Sequence, residues 1–353
     1  MKSRLANAIS IILIICLLCL LAGCSARPEG MEGSGDIKDD DLIVVGFSQV
    51  GSESYWRNVN SESMKSVFSK DNGYRLIFED AQQKQTNQIT AIRSFIQREV
   101  DYIVLAPVVE TGWDTVLSEA KEANIPVIIV DRRVDVDDES LFTCWVGSDF
   151  ELEGKMVCMW MSKFFNLKGI SPDKIHVADI QGTLGSSAQL GRTKGFQEMA
   201  KMYGWDVVAY EEGEFTKSKG KEAMSVILRS HDDVNVVYCE NDSEALGAIE
   251  VLEASGRKCG NDIENGEVMI VSFDGFNEEA RAAVAAGKIS CIGECNPMHG
   301  PRVESIIRKL EAGEQPEKLQ YVLEGIFSDT SEIETVMISG QERAVTVITD
   351  KDL

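Results

Sequence analysis

Apolar positions along this chain follow two rhythms that take turns. Residues 42–48 form a nearly continuous apolar run, as expected of a strand covered on both faces. Residues 55–70 switch to helical spacing, and 74–78 read as a second strand. Residues 85–98 place Ile89, Ile92 and Ile96 on one helical face. A strand at 102–105, a helix at 113–122 and a strand at 127–130 complete the series. Strands separated by helices predict a parallel, doubly wound sheet with right-handed crossovers. The pattern then restarts. Helices are expected at 152–165, 188–202, 217–229, 243–254 and 278–286, and strands at 174–180, 207–210, 234–239, 268–273 and 289–293. Two similar α/β halves are therefore predicted, joined near Val146-Gly147-Ser148. A last helix at 301–311 and strands at 320–324 and 344–349 are not assigned to either half by pattern alone.

The N-terminus has a different pattern. Lys2 and Arg4 precede a charge-free apolar run over 11–21. A membrane span needs about 20 residues, so a basic start followed by a short apolar stretch reads as an export signal. The run ends Leu21-Ala22-Gly23-Cys24, which resembles the lipobox at which bacterial lipoproteins are cut and lipid-modified. The expectation is a signal over 1–23, a lipid on Cys24, and a Gly-, Ser- and acid-rich tether over 24–40. The folded part would then lie outside the cytoplasm, held to the membrane by its lipid.

Composition narrows the function. The 353 residues carry 35 Lys+Arg against 58 Asp+Glu, and removing Lys2 and Arg4 with the signal takes the net charge from −23 to −25. Nucleic-acid binding needs a basic face, so no nucleic acid is expected as a partner. Six cysteines remain beyond Cys24: Cys144, Cys158, Cys239, Cys259, Cys291 and Cys295. An even number in an exported protein admits disulfides. Their apolar settings, as in Val237-Tyr238-Cys239, favour buried free thiols. With no CxxC pair among them, no metal site is expected.

Polar residues gather at predicted strand ends, where open parallel sheets bind ligands. Trp56-Arg57 begins a helix just after the first strand. It offers an aromatic plate and a fork of donors suited to a sugar ring, or a Trp that merely anchors the helix to the sheet. Asp131-Arg132 ends a buried strand and offers an acceptor and donors for neighbouring hydroxyls, or an ion pair or loop cap. Asn241 and Asp274 hold matching places in the second half, where either also fits a helix N-cap. The loop from Gln181 to Ser187 lacks the phosphate-binding glycine patterns and reads as a tight loop that presents Arg192 to a cleft. No GxSxG elbow or HExxH helix is present, and His176, His231 and His299 are scattered, so an enzyme is not expected.

Several of these segments carry a family resemblance. They are Gly46-Phe47-Ser48-Gln49-Val50-Gly51-Ser52-Glu53-Ser54-Tyr55-Trp56-Arg57, Ala106-Pro107-Val108-Val109-Glu110-Thr111-Gly112-Trp113, Ile129-Val130-Asp131-Arg132, Lys217-Ser218-Lys219-Gly220 and Glu294-Cys295-Asn296-Pro297. Over roughly 42–325 the chain resembles the sugar-binding lipoproteins of bacterial ABC importers, in particular their galactofuranose-binding branch. The resemblance implies a type I periplasmic-binding fold: two Rossmann-like lobes joined by a three-segment hinge, without a cofactor. The lobes would be 42–147 with 296–325, and 148–295 with 326–353. It implies that Trp56 stacks on the sugar, that Arg57, Asp131 and Arg132 contact it from one lobe, and that Arg192, Asn241 and Asp274 do so from the other. Glu294 would sit at the hinge, with Ser54 and Thr111 as further contacts. The implied function is a monomeric, membrane-anchored receptor that delivers a monosaccharide to an ABC permease and its ATPase. The alternative is a sugar sensor feeding a chemoreceptor or histidine kinase.

Overall fold

A computed structural model of the protein describes residues 41–338 and 340–353. The expected signal over 1–23, the expected tether over 24–40 and the expected lipid site at Cys24 lie outside the described residues.

In chain order the elements are β1 (Ile43–Gln49), α1 (Tyr55–Val67), β2 (Tyr74–Asp80), α2 (Gln85–Gln97), β3 (Tyr102–Leu105), α3 (Asp114–Glu122), β4 (Val127–Val130) and β5 (Cys144–Gly147). The second series is α4 (Phe150–Lys168), β6 (His176–Gln181), α5 (Ser187–Tyr203), β7 (Asp206–Glu212), α6 (Lys217–Ser230), β8 (Val236–Cys239), α7 (Asp242–Ala254), β9 (Met269–Asp274), α8 (Glu278–Ala285) and β10 (Cys291–Glu294). Then come α9 (Gly300–Glu311), β11 (Leu319–Tyr321), β12 (Ile326–Ser328), β13 (Thr335–Ile338) and β14 (Gln341–Val347).

The strands form two sheets, in the orders β11-β5-β4-β3-β1-β2 and β13-β14-β12-β10-β9-β8-β6-β7. The first is parallel throughout. Its continuous apolar runs follow from helices on both faces. Tyr102, Val104, Ile128 and Val130 enter one core with α9, while Ile103, Leu105, Val127 and Ile129 enter the opposite one. In the second sheet β6 to β10 are parallel, β12 runs against β10, and β13 pairs antiparallel with β14. The chain passes from one sheet to the other three times: after β5, after β10 and after β11. This is the two-lobed, doubly wound architecture with a three-segment hinge.

The predicted junction at 146–148 turns out to be the end of a strand, β5. With only Cys-Trp-Val-Gly to it, β5 is too short to show a period. The three-residue β12 is missed for the same reason, and β13 owes its place to its hairpin partner β14. The first helix stops at Val67 rather than at 70, where a single 3₁₀ turn closes on Gly73 at φ 88°. Helix α9 inserts Val303, Ile306 and Ile307 into the core of the first sheet. All six described cysteines are buried free thiols.

Candidate functional site

Both sheets end on the same cleft. A cavity of about 300 Å³ there is lined by Glu53, Ser54, Trp56, Arg57, Asp131 and Arg132 from one lobe. Phe150, Ala188, Arg192, Phe215, Asn241, Asp274 and Cys295 complete the lining.

Helix α1 places the aromatic. Its N-cap Ser54 accepts the Arg57 backbone N–H at 3.1 Å. Gln49, at the end of β1, donates to Asn60 (2.9 Å) and Ser61 (3.1 Å) and so pins the helix to the sheet. Trp56 is buried, and its indole N–H donates to the Cys295 carbonyl at 2.7 Å. Arg57 lies 4.7 Å from the centroid of the Trp56 ring. Its Nε donates to Glu53 Oε1 at 3.0 Å, and its NH1 lies 2.8 Å from Asp131 Oδ2. Burial works against the Arg57 charge, but Asp131 and Glu53 outweigh it and raise its pKa. Arg132 donates to the Val108 carbonyl at 3.0 Å and sits 5.1 Å from the Phe215 ring centroid. Its pKa is pushed down to about 10, first by burial and then by the like charge of Arg57. Two buried lining atoms, Glu53 Oε2 and Arg132 Nε, have no hydrogen-bond partner in the protein.

The second lobe repeats this plan. Arg192 is on α5, the helix after β6, as Arg57 is on the helix after β1. Its Nε donates to Glu153 at 2.8 Å, its NH1 donates to the Glu240 carbonyl, and its NH2 is 3.8 Å from Asp274. Asp131 and Asp274 follow or end the corresponding strands β4 and β9, and both have positive φ, 64° and 102°. Strain of this kind in non-glycine residues concentrates at functional sites. At Asp131 it is held by the neighbouring strand. The Asp131 N–H donates to the Val146 carbonyl at 2.9 Å, and Trp145 Nε1 donates to the Asp131 carbonyl at 2.9 Å.

Eight of the ten ligand residues expected from sequence thus line one cavity: Ser54, Trp56, Arg57, Asp131, Arg132, Arg192, Asn241 and Asp274. Asn241 is also the N-cap of α7, in a capping box with Glu244, and its Nδ2 donates to the Phe215 carbonyl at 3.0 Å. Asp274 is not a cap, because Asn277 caps α8. Two expected residues fall elsewhere. Thr111 is an exposed loop residue whose carbonyl takes Gln85 Nε2. The Glu294 carboxylate turns to the Gly325 N–H at 3.0 Å, along the hinge rather than into the cavity. Sequence reasoning missed Glu53, Phe150, Ala188, Phe215 and Cys295. Glu53 stands four residues before Arg57 across the helix cap, a spacing that could have found it. Phe215 sits on a loop at positive φ (59°), with no periodicity to mark it.

A family model described as a periplasmic binding protein domain matches residues 45–297. The chain belongs to this periplasmic binding protein family. It is 40% identical over 282 residues to the galactofuranose-binding protein YtfQ of Escherichia coli, covering 78% of this chain and 85% of that one. A Mycobacterium smegmatis crystal structure in complex with β-D-fucofuranose is 38% identical, with a TM-score of 0.77 over 82% of this chain and 92% of the other. The periplasmic binding protein component of the arabinose ABC transporter from Shewanella sp. ANA-3, bound to α- and β-L-arabinofuranose, is 41% identical, with a TM-score of 0.74 over 81% and 92%.

Beneath the family's cleft, the second lobe buries more acid than base. Burial pushes Glu240 up to about 8 against hydrogen bonds from Thr193 and Gly182, and Asp242 up to about 7 against Ser272 and Gly275. Folded protein therefore holds protons that the unfolded chain releases above the ordinary carboxyl range. The stabilisation is complete below that range and is lost as pH rises through 7 to 8. At about 1.4 kcal/mol per pKa unit, unfolding free energy is expected to fall by at least about 2 kcal/mol between pH 5 and 9. Urea titrations at several pH values measure this, and a flat or rising profile would refute it.

Proposed function

We propose that this protein is an extracytoplasmic receptor that captures a furanose sugar between its lobes and delivers it to an ABC permease and its ATPase. The observation that carries this reading is the convergence of Trp56 with Arg57, Arg132, Arg192, Asp131, Asp274 and Asn241 from both lobes on one small cavity. The ring face of a sugar fits against an aromatic plate, and its hydroxyls fit between paired acceptors and donors. The relatives support a furanose, since galactofuranose, fucofuranose and arabinofuranose are the sugars named for them. They are binding proteins, which supports a binding rather than a catalytic role. Sheet membership supports lobes of 42–147 with 296–325, and 148–295 with 326–353. Under the same reading, lipid on Cys24 and the tether over 24–40 hold the receptor at the membrane beside its permease.

Isothermal calorimetry with D-galactose and L-arabinose, whose solutions contain furanose forms, tests this against glucose, whose solutions are almost wholly pyranose. Binding of neither furanose-forming sugar would sink the proposal. Asp131→Ala and Asn241→Ala are each expected to weaken binding by about 1–3 kcal/mol, because hydroxyls are left unpaired in a closed cleft. Unchanged affinity in both variants would remove them from the site.

A further inference from the structure

Behind the cavity, Glu153, Cys295 and Glu324 bring their carboxylate and thiol atoms within 4.8 Å of one another. Glu153 is on α4, just past the first crossing between lobes. Cys295 opens the second crossing, and Glu324 lies in the third. Glu324 Oε1 accepts the Ser148 hydroxyl at 2.8 Å and the Asn296 N–H at 2.6 Å, so one carboxyl ties together all three crossing segments. Glu153 gives Oε2 to Arg192 Nε at 2.8 Å, while its Oε1 has no conventional donor. Both residues are buried, at 1% and 8% exposure.

We infer that Glu153 and Glu324 share one proton in the closed protein, and that this proton makes sugar affinity depend on pH by holding Arg192 in place. The inference rests on the proposed sugar-binding role. In the closed form the Glu324 hydroxyl proton is donated to Glu153, which stays ionised toward Arg192. The charges around the pair oppose double ionisation. Glu153 faces Arg192, Glu324 and Cys295, and Asp274 feels its charge. Glu324 faces Glu153, and Arg302 reaches toward it from α9. Cys295 adds Asp131 to the acidic side. Burial raises both carboxyls, and the Glu153 charge raises Glu324 further. Hinge segments absorb the backbone rotation when lobes part. Opening would separate and hydrate the pair and release the proton. Closure on sugar then takes a proton up, and affinity drops as pH rises, by up to about tenfold per unit.

The test is affinity for D-galactose and L-arabinose from pH 6 to 9, in the full-length protein and in Glu324→Gln. The glutamine amide donates to Glu153 as the protonated acid does, and its oxygen still accepts from Ser148 and Asn296. Wild-type affinity is expected to fall across this range and the E324Q profile to be flat. A purely structural role would instead lower affinity by the same factor at every pH. Ser148→Ala removes a donor that favours the ionised carboxyl, and is expected to move the wild-type decline to higher pH. Parallel wild-type and E324Q profiles would overturn the inference. A second readout separates it from the functional reading. With D-galactose or L-arabinose bound at pH 7, the wild-type minus E324Q infrared difference is expected to show a protonated carboxyl band that weakens when the sugar is removed. Sugar binding without that band overturns the shared proton and leaves the functional reading standing. Binding of neither sugar overturns the functional reading, and the inference with it.

Discussion

Arg192→Ala is expected to abolish measurable sugar binding and to cost the fold about 3–5 kcal/mol, the usual result of removing one member of a buried ion pair. Arg192 is 2% exposed, and its three nitrogens reach Glu153, the Glu240 carbonyl and Asp274. Its guanidinium plane also lies 4.6 Å from the Phe273 ring centroid and 5.4 Å from that of Phe150. Alanine would leave Glu153 and Asp274 without a counter-charge among carboxyls that burial already raises. They can escape by taking up protons, so the stability defect is expected to be larger at pH 9 than at pH 6. Arg192→Lys keeps a charge but not the fork that meets three partners in fixed directions. It is expected to recover part of the stability and little of the binding. Urea unfolding at the two pH values, with calorimetric titration at pH 7, decides the matter. A defect that is equal at both pH values, or an alanine variant that still binds, would show that Arg192 is not the charge on which the second lobe depends.

The halves of the molecule differ in how far they could be read in advance. Strands β1, β3, β4, β8 and β9 are buried on both faces by helices, so their sequences are nearly continuous apolar runs and their ends are easy to find. Residues that line the cavity sit at those ends, which is why the positions of Asp131, Asn241 and Asp274 could be read from the sequence. Trp56, Arg57 and Arg192 were legible because they lie on the helix that follows the first strand of each half. Those helices follow the strands at a short distance, so strand position nearly determines side-chain position. Residues held by loops were not legible. Phe215 reaches the cavity because Glu214 and Phe215 both take positive φ, and no local pattern announces that. Thr111 and Glu294 border the cleft without lining the cavity. Thr111 is exposed on its loop, and the Glu294 carboxylate takes the Gly325 N–H along the hinge, where the resemblance placed it.

Gly182→Ala is expected to weaken sugar binding about a hundredfold while leaving a folded protein, because it removes a wall of the cavity without touching a charged group. A β-carbon at 182 would lie 1.9 Å from Phe215 Cζ and 2.1 Å from its Cε1, inside the space of the ring. The ring has little room to yield. The Phe215 N–H donates to Glu244 at 2.8 Å, its carbonyl takes Asn241 Nδ2, and its ring packs with Trp56, Phe150, Ala188 and Cys295. Gly182 is equally constrained, since its own N–H donates to Glu240 at 2.9 Å. The conflict is therefore expected to expel the ring from the cleft. Losing its burial costs about 1.5–3 kcal/mol of stability. Arg132 loses the aromatic face against which it rests, and the cleft opens to water where the ring stood. Hydrogen bonds to hydroxyls weaken where water competes for them, so the binding loss should exceed the area lost. Calorimetry on Gly182→Ala beside Phe215→Ala reads this directly, and the two are expected to fall to the same affinity. If Gly182→Ala binds as the parent does while Phe215→Ala does not, the ring has adjusted in place and the glycine is not what admits it.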